Sequence, residues 1–253
     1  MFYFFERRGL EFLTCIVVVI GARELINILF KPEESKSNRF FFYICTLATF
    51  LFSCLFFGWS SLFFAIFSIL FCLFTLVTQR KFEDLEHLSN FQARGVLGIF
   101  YIGLLPSFAF QIIELPEGVS WFLTLLAVVF AGDIGAYLVG VKFGKTKIMP
   151  SVSPKKSVQG AFGGILFSLF AMIACSKILP PYPLVGLIAL ALCAGVVAQF
   201  GDFFESLLKR VADVKDSGRL MPGHGGMLDR MDGILFASPI ILFGAILLDK
   251  YFS

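Results

Sequence analysis

Apolar runs close to 20 residues long recur from one end of this chain to the other, separated by short polar stretches. Each is long enough to cross a hydrocarbon core of about 30 Å as an α-helix. The pattern predicts spans over 10–30, 39–57, 60–78, 96–114, 120–141, 161–179, 184–204 and 233–249. The runs are apolar all round and lack the two-residue alternation of a transmembrane barrel. The expected fold is all-α: a polytopic transmembrane helical bundle of about eight spans, forming one integral membrane domain over 1–253. Residues 1–95 carry little motif content; 96–253 carry the candidate functional helices and two long polar motif loops, 142–160 and 205–232.

Composition agrees. The chain is 58% hydrophobic and only 15% charged, where a soluble domain carries about 25% charged residues. The Phe-rich segment 40–72 reads as lipid-facing and packing surface. All six cysteines lie inside apolar runs and none forms a CxxC pair, so they read as packing thiols, with no disulfide framework or zinc site. Arg7 and Arg8 before an apolar stretch mimic a signal peptide, but that stretch carries Arg23 and Glu24 and no small-residue cleavage pattern, so a retained helix is expected. The stretch 79–95 reads as a solvated connection, and His87 has no partner pattern.

The distribution of charge says more than its net value of +3. With eight spans, the loops 31–38, 79–95, 142–160 and 205–232 fall on one side; together with Arg39 they hold sixteen of the 21 Lys and Arg residues. The other side has Arg7, Arg8, Lys177 and Lys250. The positive-inside rule then places both motif loops in the cytoplasm. Arg7 and Arg8 alone would keep the N-terminus inside; either the later loops outvote them or an upstream helix precedes this sequence.

The candidate chemistry lies in those loops. Asp202 ends the seventh span, and Asp229 and Asp232 stand i, i+3 at the start of the eighth, on one helical face. Magnesium favours such oxygen ligands, often one or two carboxylates with phosphate oxygens and water. Salt bridges to Arg210 and Arg230 are the alternative. Ser206, Lys209 and Arg210 form a face suited to a phosphate, or to anionic lipid head groups. Pro222-Gly-His-Gly-Gly226 permits close backbone approach to a ligand, with His224 able to donate to a phosphate or simply to close the loop. The loop 140–160 holds five lysines and no acid; its Ser157 can cap the next helix beside Lys155 and Lys156. Asp133 shares a face with Tyr137 and Gly140 inside the fifth span, and can serve a site or a helix–helix hydrogen bond. Glu24 in the first span has the same ambiguity.

The stretch Ser206–Asp232 resembles the signature of phosphatidate cytidylyltransferases (CDP-diacylglycerol synthases): S-x-L-K-R, four residues, K-D-x-G, then P-G-H-G-G and D-R-x-D. Asp133-Ile-Gly-Ala-Tyr137, the Gly140/Gly144 pair, Ser153-Pro-Lys-Lys-Ser157 with Gly160, and Gly201-Asp202 look like the family's upstream motifs. Met221 stands where a branched apolar residue or Phe is more usual, and family members usually begin with one more hydrophobic helix. The resemblance is specific over about 130–240 and general before it.

That resemblance implies transfer of a cytidylyl group from CTP to phosphatidate, giving CDP-diacylglycerol and pyrophosphate, with Mg2+ and room for a second cation. Phosphatidate's own anionic phosphate oxygen is the nucleophile, so no strong base is required. The expected metal ligands are Asp202, Asp229 and Asp232. Lys209, Arg210, Lys215 and His224 would neutralise phosphates; Ser153, Lys155 and Lys156 would reach the nucleotide from the facing loop. Asp133, Ser206, Asp216 and Arg230 complete the expected substrate-binding set. Expected partners are CTP, phosphatidate and membrane lipids, without nucleic acid, and a homodimer suits such a bundle. The expected location is the bacterial cytoplasmic (inner) membrane. A CTP-dependent lipid kinase is the rival chemistry; an ion-coupled transporter using Asp133 and Glu24 would leave the glycine-histidine loop unexplained.

Overall fold

The computed structural model describes residues 2–78, 85–218 and 225–252. Among these the regular structure is helical: α1 (Phe2–Leu29), α2 (Lys36–Leu55), α3 (Ser60–Thr78), α4 (Leu85–Gly98), a π-helical turn (Ile99–Leu104), α5 (Leu105–Glu114), α6 (Gly118–Phe143), α7 (Val158–Cys175), α8 (Leu184–Val211) and α9 (Leu228–Phe252). α4, the π turn and α5 run on as one 30-residue rod, so eight spans are long and apolar enough to cross a membrane. The chain is an integral membrane protein.

Helices α1 and α9 start at Phe2 and Leu228, ahead of the expected 10 and 233, and two further boundaries shift for a physical reason. The fourth span starts at Leu85 rather than 96, because Leu88 and Phe91 bury one face of an otherwise polar first turn. On its other side Arg94 donates to the Leu29 carbonyl at 2.7 Å and to Glu34 at 2.9 Å. The seventh span runs on to Val211 rather than 204, since Leu208 is buried and Lys209 finds acidic partners. Uniform hydropathy detects apolar cylinders and overlooks such amphipathic extensions.

The conflict over Arg7 and Arg8 has a structural counterpart. Arg7 contacts Glu11 at 3.1 Å and also Glu114, while Arg8 contacts Glu11 at 2.7 Å. These arginines are thus held by acids at the bundle end opposite the motif loops.

The core has two lobes. One packs Phe30, Phe42, Phe71 and Phe91 from α1–α4 against Tyr101 and Leu235. The other packs Trp121, Leu125 and Val128 of α6 against Ala191 and Ala194 of α8 and Ile241 of α9. α6 and α7 make the most intimate pair. A Cβ on Gly135 would stand 2.5 Å from the Phe167 ring, and one on Gly163 2.5 Å from Val139. Small residues let the two backbones meet without a hydrophobic drive between helices in lipid. This close crossing sets the floor of the cleft described next.

Gly163→Val should force α6 and α7 apart at a cost of about 1–3 kcal/mol, read as a lowered thermal midpoint in detergent. Gly9→Ala, with open space at its Cβ, should leave the midpoint unchanged or slightly raised, since alanine favours the helix. Equal midpoints for both variants would contradict the packing account.

Candidate active site

The segment 144–157 between α6 and α7 is folded by its own backbone. Ile148 N–H donates to the Lys156 carbonyl at 3.3 Å, and Val158 N–H donates to Thr146 at 2.9 Å, around a Lys147–Ser157 bridge. Gln159 Oε1 accepts from the Lys145 and Thr146 amides at 3.0 and 3.2 Å. Ser157 caps α7, its Oγ accepting from Gly160 N–H at 3.2 Å, as its position predicts. The lysines are therefore presented on a folded platform. Ser153 sits in the supporting turn, its N–H on the Met149 carbonyl and its carbonyl on the Lys156 N–H.

That platform faces α8 across a cleft of about 530 Å³. Its polar wall comprises Lys147, Lys155, Lys156, Asp133, Gln199 and Asp202. Lys156 pairs with Asp202 and lies 4.3 Å over the Phe203 ring. Tyr137 and Val141, 70% and 72% exposed on a membrane-spanning helix, form the rim. Cation-lined and open to lipid, the cleft can hold a polyanion beside the bilayer.

A second set of carboxyls lies behind Asp202. At Gly201 the α9 backbone comes so close that a Cβ would overlap the Asp232 carbonyl. The crossing brings Asp232 within electrostatic reach of Asp202, Glu205 and Asp133. Glu205 Oε1 and the Tyr101 hydroxyl are buried without a hydrogen-bond partner among the described residues. Tyr101 is on the π turn, where Leu105 N–H bonds back to Phe100 O and Pro106 follows without an N–H.

Asp229 is differently employed. Lys209 Nζ contacts one of its oxygens and reaches Glu205 at 3.1 Å. The other Asp229 oxygen accepts from Ser217 N–H and Oγ, each at 2.9 Å, and from Gly226 N–H at 2.8 Å. The partner is thus Lys209, rather than Arg210 or Arg230. Glu24 completes the clamp from α1: it accepts from Met227 N–H and Leu228 N–H at 3.0 Å, and its carboxylate lies 3.0 Å from Ser217 Oγ, whose single proton it shares with Asp229. Gly225 has φ +82°, and a Cβ there would lie 2.5 Å from Asp229 Oδ2. The glycines after His224 are therefore required by close approach and backbone conformation.

Of the remaining expected residues, Ser206 Oγ is 3.5 Å from Asp202, and Arg210 Nε donates to the Val152 carbonyl at 3.3 Å, tying α8 to the lysine platform. Lys215, Asp216 and Arg230 are exposed outside the cleft lining. His224 lies outside the described residues. Among the described residues no three His, Cys, Asp or Glu side chains are grouped as a metal cage. Asp202 and Asp232 lie within electrostatic reach of each other, and Glu205 keeps one oxygen without a hydrogen-bond partner among the described residues; these are oxygen donors of the kind that magnesium favours.

The cytidylyltransferase family model matches residues 1–247. This chain belongs to the cytidylyltransferase family. A phosphatidate cytidylyltransferase of Thermotoga maritima is 32% identical over 235 residues, covering 90% of this chain and 84% of that protein. One of Bacillus subtilis is 40% identical over 149 residues, 58% of this chain, so the matched part spans just over half of that relative (55%). One of Synechocystis is 36% identical over 183 residues, 61% of this chain and 62% of the relative. Membership thus covers the N-terminal helices as well as the motif region.

Sequence reasoning passed over Glu205, Tyr101 and Lys147. Glu205 was within reach: with Asp202 and Lys209 it stands i+3 and i+7 along one helix. Tyr101 was masked by the uniform apolar run around it, in which Pro106 alone marks the π turn. Glu24→Ala should release the loop it pins. Hydrogen exchange at the Met227 and Leu228 amides should speed roughly 10- to 100-fold, as expected for lost charged hydrogen bonds. Unchanged exchange there would contradict the clamp.

Proposed function

We propose that this protein transfers the cytidylyl group of CTP to phosphatidate, giving CDP-diacylglycerol and pyrophosphate. The observation that carries this reading is the single cleft in which Lys147, Lys155 and Lys156 face Asp202 and Asp133 at a lipid-exposed rim. The names of its relatives point the same way. A phosphate oxygen of phosphatidate forms the new bond to the α-phosphorus of CTP, and the bond from that phosphorus to the bridging oxygen of pyrophosphate breaks.

The difficulty is bringing two polyanions together and stabilising charge on the leaving group. Lys155 and Lys156 bind the triphosphate, Lys156 exchanging its Asp202 contact for a phosphate. Arg210 holds α8 against the platform, so lysines and carboxylates keep one spacing. Tyr137 and Val141 guide the lipid head group at the rim. Asp202 and Asp232, with Glu205 behind them, would hold magnesium, which would supply neutralisation of phosphate charge. Asp229 and Lys209 keep Ser217 and Gly226 in place; His224, with Lys215 and Ser206, serves the pyrophosphate. We assign the protein to the bacterial inner membrane with this cleft on the cytoplasmic side, where CTP is supplied and where the basic loops favour. No nucleic acid takes part.

CTP labelled on the α-phosphorus should pass its label into lipid in a detergent assay with phosphatidate and magnesium. Asp202→Asn should lower kcat by on the order of 100-fold, and Lys156→Ala should raise KM for CTP about tenfold. Label entering lipid only from the γ-phosphorus would contradict the assignment.

A further inference from the structure

A second cavity, of about 350 Å³, lies between α1 and α2 and shares no lining residue with the α6–α8 cleft. It is lined by Arg23, Ile26, Lys36, Arg39, Phe40 and Tyr43: three cations, no acid. Arg39 Nη2 donates to Asn27 Oδ1 at 3.2 Å, but its Nε is buried with no partner among the described residues. Among the described residues no carboxylate pairs with Arg23, Lys36 or Arg39. Glu34, in the loop joining the two helices, is instead turned onto Arg94. Three converging cations with a buried, unsatisfied guanidinium donor are poised for an anion, since an unmet buried donor costs free energy.

The cavity's depth identifies the anion's carrier. Arg23 adjoins Glu24, which holds the motif loop, and Lys36 opens α2, so the site sits at the motif-loop end of two membrane-spanning helices. That is head-group level for the leaflet on that side. Phe40, 65% exposed, with Ile26 and Tyr43, supplies an apolar wall for the glycerol and upper acyl chain. We propose that this cavity binds the phosphate of an anionic lipid head group, separately from the reaction cleft.

The test is native mass spectrometry of the full chain in neutral detergent, with phosphatidylglycerol, phosphatidylcholine or inorganic phosphate. The wild type should retain phosphatidylglycerol over phosphatidylcholine. Arg39→Gln and Lys36→Gln should each weaken that retention roughly fivefold, the effect of one basic residue near an anionic head group. Lys36 is exposed at the start of α2, so its variant should fold even if the Arg39 variant does not. Lys156→Ala should retain the lipid like wild type. Equal retention by wild type and the Lys36 variant, or of both lipids, would overturn the site. Inorganic phosphate displacing phosphatidylglycerol at millimolar concentration would assign the cavity to free phosphate and overturn the lipid.

Discussion

A charge buried at the edge of a hydrocarbon slab has to be paired, and Lys209 is the pairing on which the motif region rests. Its ammonium lies between Glu205 on its own helix and Asp229 on α9. Removing one partner of such a group typically costs about 3–5 kcal/mol, because the other charge is left unmatched. The contact therefore fixes the register of α8 against α9. Once that register is set, Gly201 admits the α9 backbone, and Asp232 falls beside Asp202.

Two neighbouring contacts extend the arrangement. Asp229 uses its second oxygen to gather Ser217 and Gly226, and Glu24 ties the same loop to α1. The N-terminal helix, poor in recognisable motifs, thus enters the site through Glu24. On the opposite wall, the 144–157 platform is self-supporting and is joined to α8 by the Lys156–Asp202 and Arg210–Val152 contacts. The cleft is the space left between a rigid lysine platform and a helix whose position the carboxylates hold.

Much of this was legible in the chain. The eight spans follow from apolar runs, and Ser157 announces the start of α7. Asp202 and Lys156 were expected at one site and are in contact. Less legible was the division of labour among the acids. Asp229 and Asp232 share a face by spacing, yet the loop folds back on the first while the second turns towards α8; only tertiary packing separates them. Glu24 was ambiguous because its partners lie about two hundred residues away. The amphipathic starts and ends of α4 and α8 escaped a reading tuned to uniform hydropathy. The π turn carrying Tyr101 escaped because it lies inside an unbroken apolar run, where only Pro106 marks it.

The central claim is spatial: the lysine platform and the α8–α9 carboxylates bound one nucleotide site. An experimental structure with magnesium and a non-transferable CTP analogue tests it most directly. The account predicts triphosphate density between Lys156 and Asp202, with the cation on the Asp202–Asp232 side. Density for the nucleotide outside the α6–α8 cleft would contradict it.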